Sequence, residues 1–458
     1  MIARYSRLDR TSLPILALFG GLSLLLACSS SDPAAAPSVD DAGADAAEQT
    51  FDGGAPAEAG DGDADADPGE LPPYDFKVTC GVDPCVTRLS ARGGAHACAV
   101  LADHTVRCWG SNATGQLGIG GDVGSLSAYE ATPRLVAGVT SAVDVATTGE
   151  GTTGVSCVVT TTGEVSCFGS DAWGHVGGAQ RSTQPVRTPT PIEGIRAKSV
   201  TLASTFAVAI GTDDRLWSWG ANETRQLART TSEPDAAVTA SAAHADRISD
   251  SVRSSAGTSK TGFAVTEGGA LLSWGGGTNE QLGRTTSIAR DPVPAAIGLA
   301  EVSSIATGAA HACAVSRGRA FCWGANADGQ LGTGRKADET LPAAVLLPSD
   351  VHAVAVFAGA NDSCAIVANG DVYCWGANGS GQIGAVSALG QATPTKIAGL
   401  DAPAVQIGVM DDTICALLRN GAVACWGDNL VGQLGRGVRD IEKHPKPEAV
   451  VFNPAGAP

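Results

Sequence analysis

A short phrase recurs along this chain, and its recurrence limits the possible folds more than any other feature of the sequence. The stretch HACAVLADHTVRCWGSNATGQLG from residue 96 returns as HACAVSRGRAFCWGANADGQLG from residue 311. With mismatches allowed, an aromatic-glycine pair marks seven units at a mean spacing of about 53 residues. This spacing is too long for tetratricopeptide or ankyrin repeats and is typical of a four-stranded propeller blade. The marks are Trp109-Gly110, Phe168-Gly169, Trp219-Gly220, Trp274-Gly275, Trp323-Gly324, Trp375-Gly376 and Trp426-Gly427.

Each unit has the character of β-structure. Apolar residues come in runs of four to six bounded by Gly, Asn and Thr, without a sustained helical period. Hairpin turns such as ANGD, RNGA, TTGE and SRGR divide the phrase, and a Gln-Leu-Gly-like triplet and a proline-led strand follow in most units. The sequence therefore predicts an all-β fold, a seven-bladed β-propeller over residues 79–453 with a short tail at 454–458.

The cysteines test this register. Ten of them form five pairs, each separated by nine or ten residues across a predicted hairpin, where opposite positions lie within disulfide reach. Two units lack cysteine and lose both members together, with Phe206 and Ser218 in one and Phe263 and Ser273 in the other. A zinc site would need Cys-x-x-Cys pairs, which the sequence lacks, so we predict disulfides and no metal or other cofactor. The predicted bonds are Cys80–Cys85, Cys98–Cys108, Cys157–Cys167, Cys313–Cys322, Cys364–Cys374 and Cys415–Cys425.

The two ends of the repeat region suggest how the ring closes. The stretch from Val86 matches the strand that returns the chain to each phrase, so the first unit begins without a proline-led strand. PEAVVF, from Pro447, is a proline-led strand left over after the seventh unit. We therefore expect one blade to be built from both termini, which would hide exposed strand edges.

The chain begins with an export signal. Three arginines within the first ten residues form a basic head, and LPILALFGGLSLLLAC follows as an apolar run of signal-peptide length. The run ends in Leu25-Leu26-Ala27-Cys28, which resembles the bacterial lipobox, in which the cysteine receives the lipid. A secretory peptide with a chance cysteine and a membrane span are the alternatives. We expect residues 1–27 to be a lipoprotein signal peptide and Cys28 to be lipidated, and Ser29 after it favours the outer membrane or cell surface.

An acidic segment separates this signal from the repeats. Residues 29–75 are rich in Ala, Asp, Gly, Pro and Ser, with thirteen Asp or Glu and no Lys or Arg. Such a composition lacks the apolar surface needed to offset the entropy of ordering, so we expect residues 28–78 to be a disordered tether. The tether accounts for most of the net charge of −17. The repeats carry no basic stripe with interleaved aromatics, so we expect no nucleic-acid binding and no membrane contact beyond the lipid.

The repeated phrase resembles the repeat of the regulator of chromosome condensation (RCC1) family. The shared features are His-x-Cys-Ala-Val, a glycine turn, Cys-Trp-Gly-x-Asn and Gly-Gln-Leu-Gly, and they cover about four fifths of the chain. The resemblance implies a seven-bladed propeller. The eukaryotic namesake is a nucleotide-exchange factor for a small GTPase, and bacterial exported relatives resemble binding scaffolds, one of them a secreted inhibitor of β-lactamases. No segment here matches the exchange wedge of the namesake.

Catalytic motifs are missing from the sequence. It contains no Gly-x-Ser-x-Gly, His-Glu-x-x-His or phosphate-loop pattern, and Gly275-Gly276-Gly277 lacks the accompanying Lys. His96 and His311 occupy equivalent slots before Cys, which favours a hydrogen-bonded structural role. We expect no enzyme; a hydrolase or lyase would require two carboxylates, or a histidine and a carboxylate, converging at one mouth of the ring.

Differences between units indicate where a partner binds. The position two residues before the Gln slot is polar in five units, at Thr114, Thr224, Asn279, Asp328 and Ser380, but it is Trp173 in the second and Val431 in the seventh. Trp173 is a candidate contact, although it could also cover Phe168, which replaces the usual Trp. Tyr129 lies in a second excursion, and residues 230–255 form a longer first half of a unit, by insertion or drift.

These features predict a lipid-anchored, monomeric propeller that acts as a non-enzymatic binding or adhesion module for a protein or glycan at the cell envelope. The alternative is a regulator of one partner, either an inhibitor or a protein with exchange-factor-like activity.

The anchor prediction is tested by Cys28→Ser. If the lipobox is functional, the natural protein incorporates a labelled fatty acid and fractionates with membranes, whereas the variant does neither. Mass spectrometry of the mature amino terminus provides a second readout, and an unlabelled natural protein that begins at a residue other than 28 would contradict the prediction.

Overall fold

The computed structural model describes residues 74–120, 128–151, 153–177, 182–230, 238–278, 281–384 and 390–452. Twenty-eight strands form seven four-stranded antiparallel sheets, which confirms the predicted all-β, seven-bladed propeller. Within these ranges no helix is long and apolar enough to cross a bilayer. The predicted signal peptide, Cys28, Asn279 and most of the predicted tether lie outside the described residues.

Each blade comprises four consecutive strands, numbered from the inner strand outwards. Blade 1 has β1–β4 at Val86–Ser90, His96–Leu101, Val106–Ser111 and Tyr129–Leu135; blade 2 has β5–β8 at Ala142–Glu150, Thr153–Thr160, Val165–Gly169 and Val186–Pro191. Blade 3 has β9–β12 at Ala197–Leu202, Phe206–Gly211, Leu216–Ala221 and Val238–His244; blade 4 has β13–β16 at Val252–Gly257, Thr261–Thr266, Leu271–Gly276 and Arg290–Ala296. Blade 5 has β17–β20 at Val302–Thr307, His311–Ser316, Arg319–Gly324 and Glu339–Ala344; blade 6 has β21–β24 at Ala353–Gly359, Asp362–Val367, Val372–Ala377 and Gly390–Lys396; blade 7 has β25–β28 at Ala404–Val409, Thr413–Leu418, Val423–Gly427 and His444–Ala449.

The predicted blade shared between the termini is wrong. All seven sheets are made from consecutive strands, so blade 1 and blade 7 are each complete. The proline-led strand at the C-terminus, β28, pairs with β27 of its own blade. A unit counted from its proline-led strand is offset by one strand from a sheet, which begins at its inner strand and ends at the proline-led strand. Because of this offset, the last proline-led strand seemed to be left over after the seventh unit.

A tryptophan hydrogen bond joins neighbouring blades. In six of the described blades, the Trp of the aromatic-glycine pair donates a hydrogen bond from its indole Nε1 to a backbone carbonyl of the preceding blade. The acceptor is the residue in the Gln slot, and the distances are 2.7 to 2.9 Å. All six of these indoles are fully buried. The ring closes with the same contact, because Trp109 of blade 1 reaches Gln433 of blade 7. The other pairs are Trp219–His175, Trp274–Gln226, Trp323–Gln281, Trp375–Gln330 and Trp426–Gln382.

Glycines of the repeated phrase leave the space that the indole needs where two blades meet, here called the seam. Gly110 has a φ of 95°, and a Cβ there would lie 2.4 Å from the carbonyl oxygen of Ala95. Gly332, in the Gln-Leu-Gly triplet of blade 5, has a φ of 67°, and its Cβ would lie 2.8 Å from Nε1 of Trp375 in blade 6. A side chain at either position would meet backbone or the buried indole, so glycine is required there.

The position of the outer strand in each blade explains why prolines occur there. Each fourth strand pairs only with the third strand of its blade, so one of its edges has no partner in the sheet. Proline has no amide hydrogen to offer and is tolerated on such an edge, where it blocks further strand pairing. β12 of blade 3 has no proline, and it forms the ordinary outer strand of that blade. The described part of the long 230–255 segment is therefore regular blade structure.

All six predicted disulfides are present. Five of them join directly opposite residues of the second and third strands of a blade, as Cys364 and Cys374 do in blade 6. In blade 4 the equivalent pair is Phe263 and Ser273, as expected. In blade 3 the expected pair is wrong, because Ser218 faces Val208 and not Phe206.

Arg92 fills the hub of the ring. Its Nε and Nη2 donate to the carbonyl oxygen of Thr307 in blade 5, at 3.1 and 2.8 Å. Nη2 also donates to the carbonyl oxygen of Gly257 in blade 4 at 2.6 Å, and Nη1 donates to that of Leu202 in blade 3. Its backbone amide donates to Oγ1 of Thr147 in blade 2 at 3.1 Å. Burial lowers the pKa of Arg92 to about 10, so the guanidinium stays charged at neutral pH.

The residues before β1 pack on the ring. The hydroxyl of Tyr74 donates to the carbonyl oxygen of Ala404 at 2.6 Å, and the amide of Thr79 donates to that of Arg419 at 2.7 Å. The guanidinium of Arg419 stacks over the ring of Tyr74 at 5.0 Å. The predicted tether, drawn to residue 78, therefore includes residues 74–78, which pack against blade 7.

The seam hydrogen bond predicts unequal effects of two identical substitutions. Trp426→Phe leaves the carbonyl of Gln382 without its indole donor, and we expect a loss of about 2 to 3 kcal/mol of unfolding free energy. Trp375→Phe leaves Ser363 Oγ still donating to the carbonyl of Gln330 at 2.9 Å, so we expect a loss smaller by about 1 kcal/mol. Equilibrium denaturation under oxidising conditions measures both, and equal losses would contradict the role given to the hydrogen bond.

Candidate interaction surface on the loop face

Strand direction divides the connections between two faces of the ring. Because the four strands of a blade alternate in direction, the loops after the first and third strands lie on one face, here called the loop face. The hairpins between the second and third strands lie on the opposite face, here called the turn face. The N-terminal segment lies on the turn face, since Thr79 and Gly81 donate to the hairpin residues Arg419 and Asn420 of blade 7.

The two repeated histidines hold blades together. Nε2 of His96 lies 3.0 Å from Oγ of Ser156 in blade 2, and that hydroxyl donates to the carbonyl of Gln116 back in blade 1 at 2.8 Å. His311 makes the same contact with Ser363, at 2.8 Å. Both histidines are fully buried, and burial lowers the pKa of His96 to about 4 and that of His311 to about 3. They are neutral at physiological pH, in the structural role that the sequence favours.

Trp173 is displayed on the loop face of blade 2. Its side chain is 37% exposed, whereas Phe168 is completely buried in a cluster with Leu117 and Val136 to which Trp173 does not belong. Trp173 therefore does not replace the missing indole of this blade. The carbonyl of Gln116 that a tryptophan would reach still has one donor, the hydroxyl of Ser156, just as Ser363 donates to Gln330 beside Trp375.

Tyr129 and Val431 come together at the seam between blades 7 and 1. The ring of Tyr129, at the start of β4, lies under the guanidinium of Arg439 at 4.4 Å. Val431 and Arg439 both belong to the connection between β27 and β28, here called the blade 7 loop (residues 428–443). This loop packs closely on β4, because a Cβ at Gly432 would lie 2.6 Å from Cα of Ala131. Trp173 lies on a different blade and is not part of this group.

The blade 7 loop carries further exposed side chains that the sequence reasoning missed. Leu430 is 53%, Val438 60% and Ile441 82% exposed. The position of Leu430 is occupied by Ala113, Ala172, Glu223, Thr278, Ala327 and Gly379 in the other units. A comparison at that position, one residue before the slot that singled out Val431, would have found Leu430.

Carboxylates gather beside this loop. Asp411 and Asp412 follow β25, Asp428 opens the blade 7 loop, and Glu150 ends β5. Burial raises the pKa of Asp412, and the nearby charges of Asp428 and Asp411 raise it further. Burial also raises the pKa of Asp411, with Glu150 adding to the effect against hydrogen bonds from two backbone amides. We call Glu150, Asp328, Asp411, Asp412 and Asp428 the acidic patch.

Asp362 links Asp328 to the acidic patch and is completely buried. Its pKa is raised well above the usual value by burial, with smaller contributions from Asp412 and Asp328. The side-chain amide of Gln382 donates to Asp362 at 3.3 Å and to Asp412 at 3.4 Å. Two carboxyls thus converge near the mouth of the ring, but the buried Asp362 has no surface on which to meet a substrate.

Other groupings that could support chemistry lie on the rim. Two histidine-carboxylate pairs occur at outer strands: His244 with Asp213 at 3.0 Å, and His444 with Asp440 at 2.7 Å. Both pairs lie at outer strands and not at the mouth of the ring, where a hydrolase or lyase would need its catalytic pair. In the described part of the chain no three His, Cys, Asp or Glu side chains are arranged to hold a metal ion.

Comparison with known proteins identifies the repeat. A profile of the regulator of chromosome condensation (RCC1) repeat matches residues 268–315, 317–366 and 369–417, and a second profile of this repeat matches 86–116, 302–330 and 353–382. Stretches of blades 1, 4, 5, 6 and 7 thus match the RCC1 repeat. Its sequence is 29% identical over 367 residues to the ultraviolet-B receptor UVR8 of Arabidopsis thaliana, covering 77% of this chain and 80% of that protein. It is 30% identical over 256 residues to the E3 ubiquitin-protein ligase HERC2 of Mus musculus, covering 53% of this chain but only 5% of the ligase.

Solved structures share the fold. Human WBSCR16 has a TM-score of 0.66 at 19% identity, covering 76% of this chain and 94% of that one. Prp20p of Saccharomyces cerevisiae, described with its binding properties to Gsp1p and histones, has a TM-score of 0.63 at 18% identity, covering 83% and 91%. At these identities the likeness concerns the propeller fold and not a shared site.

The buried histidines predict a pH dependence of stability. The unfolded chain binds a proton at each histidine near pH 6.5, whereas folded His96 does so only near pH 4. Stability is therefore lost as the pH falls between these values, by roughly 3 kcal/mol for this residue. We expect His96→Gln, whose amide can still reach Ser156, to remove that part of the loss.

The measurement is the unfolding free energy of both proteins at several pH values from 7 to 4. Burial raises the pKa of Asp144 to about 6, and it also raises the pKa of Asp362. These two carboxyls change the stability with pH in the opposite sense, but they do so equally in both proteins. His311→Gln removes the second buried histidine, whose pKa burial lowers to about 3, and should reduce the loss in the same way. Parallel curves for the natural protein and His96→Gln would contradict the prediction.

Proposed function

We propose that this protein is a non-enzymatic protein-binding scaffold, held at the cell envelope by a lipid on Cys28, with its loop face as the binding surface. The division of labour within the repeat supports this proposal. The Trp, Gln and Gly residues of the phrase are occupied by seam contacts, so they are not free to recognise a partner. Variation between blades is concentrated in loops, and such loops on a rigid scaffold are the usual place for recognition.

The observation that carries the proposal is the position of the N-terminal segment. It lies on the turn face, where Tyr74 and Thr79 contact blade 7, while Trp173 and the blade 7 loop belong to the loop face. The described part of the N-terminal segment therefore leaves the variable loops of the loop face uncovered, so that a partner can reach them.

The oxidised cysteines and the relatives add support. Six disulfides favour an exported protein, because cytosolic proteins rarely keep them. One structural neighbour is described by its binding to Gsp1p and histones. A propeller of this kind can therefore act through other proteins, which fits either a scaffold with several partners or a regulator with one.

The test is a capture experiment with the full-length protein, extracted from membranes in mild detergent under oxidising conditions. We expect envelope proteins to bind in amounts comparable with the bait and to be reduced at least about threefold by Trp173→Ala. Leu346→Ala, which truncates an exposed side chain of blade 5, is the control and should bind as the natural protein does.

The number and kind of captured partners distinguish the scaffold from the regulator. Several envelope proteins would support the scaffold, and one stoichiometric enzyme or GTPase would favour the regulator. Glycan binding without protein, or no partner under any condition, would overturn the proposal of a protein-binding scaffold.

A further inference from the structure

The blade 7 loop presents aliphatic side chains to solvent in a fixed arrangement. Leu430, Val438 and Ile441 are each more than half exposed. Val431 beside them is partly exposed. Single exposed aliphatic residues are ordinary on a protein surface, but several on one loop mark an interaction site.

Hydrogen bonds hold this loop in place. The side-chain amide of Asn429 donates to the carbonyl of Val438 at 3.2 Å and to the carboxylate of Asp440 at 2.8 Å. The amide of Gly437 donates to the carbonyl of Ala131 in β4 at 2.8 Å. Stacking of Arg439 on Tyr129 fixes the same stretch against blade 1. A partner would therefore meet an ordered surface and would have little loop entropy to overcome.

The acidic patch begins on the same loop. Asp428 accepts hydrogen bonds from the amide of Leu430 at 3.3 Å and from the side chain of Gln433 at 2.6 Å, so a carboxylate and an exposed leucine are two residues apart in one fixed turn. In the described part of the chain none of the five carboxylates of the acidic patch forms a salt bridge. Asp412 and Glu150 are exposed to solvent.

We propose that the blade 7 loop and the acidic patch together bind a basic protein segment, in which Lys or Arg side chains flank aliphatic ones. This inference rests on the proposed function, because it names the surface and partner chemistry of the scaffold. The aliphatic side chains of the partner pack on Leu430, Val438 and Ile441, and its cations pair with Asp412, Asp428 and Glu150. Of the cations on the blade 7 loop, Arg436 pairs with Glu448, Arg439 stacks on Tyr129 and Lys443 follows Glu442, whereas the carboxylates of the acidic patch form no salt bridge in the described part of the chain. Charge complementarity therefore favours a basic partner.

The experiment uses a photoactivatable amino acid placed separately at Ile441, Trp173 and Ile288 of the full-length protein in the cells that make it. Ile288 is 51% exposed on the equivalent loop of blade 4 and serves as the matched position. Cross-linked segments are identified by mass spectrometry. We expect Ile441 to cross-link to a protein segment that contains several Lys or Arg residues and no excess of Asp or Glu.

Two perturbations test the chemistry. In isolated membranes, raising NaCl from about 50 mM to about 500 mM should reduce the Ile441 cross-link at least threefold, because screening weakens pairs between exposed charges. Asp412→Asn with Glu150→Gln should reduce it similarly, and both substitutions keep the size and shape of the side chain while removing its charge. The same two substitutions should leave any cross-link at Ile288 unchanged.

The outcomes separate this inference from the proposed function. A cross-link at Ile441 to an acidic or uncharged segment, or one insensitive to salt and to the double variant, overturns the basic partner but not the scaffold. Protein cross-links at Trp173 or Ile288 without any at Ile441 have the same meaning. No protein cross-link at any of the three positions would overturn both proposals.

Discussion

The hydrogen bond from each indole to the carbonyl of the preceding blade is the contact on which the ring depends. A buried carbonyl between two sheets needs a donor, and the indole supplies one while filling the space between the blades. The other residues of the phrase follow from this contact. Glycine leaves room for the indole, and Gln presents its own backbone carbonyl to the next blade while its side chain bonds within the loop, as Gln330 does with the amide of Asp328 at 2.9 Å.

Two departures from the phrase show how the ring tolerates change. In blade 2, Phe168 replaces the indole, and the hydroxyl of Ser156 remains as the donor to the carbonyl of Gln116. In blade 3, which has no disulfide, the hydroxyl of Ser218 donates to the carbonyl of Leu227 and accepts from Nε of Arg229. Ser273 and Arg284 form the same arrangement in blade 4. A short polar network thus occupies the place of the covalent bond in these two blades.

Much of the fold could be predicted because its determinants are local. The two paired positions of a hairpin, such as Cys364 and Cys374, lie about ten residues apart in sequence, so turn glycines and cysteine spacing were sufficient to predict the hairpin. The prediction was wrong where local information is ambiguous, in choosing which strand opens a sheet and in setting the register of Phe206 against Ser218. The Arg92 hub was not predicted, because the partners of its guanidinium lie 110 to 215 residues away in sequence.

The candidate site was predicted only in part for the same reason. Val431 and Tyr129 stood out against their equivalents in other units, but their meeting at one seam depends on closure of the ring. The acidic patch gathers residues from blades 2, 5 and 7, which no spacing rule connects. Leu430 could have been found by the comparison that selected Val431, whereas the exposure of Ile441 required the structure.

The attachment of the N-terminal segment has a mechanical consequence. The chain contacts blade 7 through Tyr74, Thr79 and Gly81 before it enters blade 1 at Val86, whose amide also donates to blade 7. A pulling force applied ahead of Tyr74 is thus borne first by these contacts and by the Cys80–Cys85 loop. The load is shared across the seam where the ring closes, so tension on the chain ahead of Tyr74 would have to detach this segment before it could pull blade 1 out of the ring.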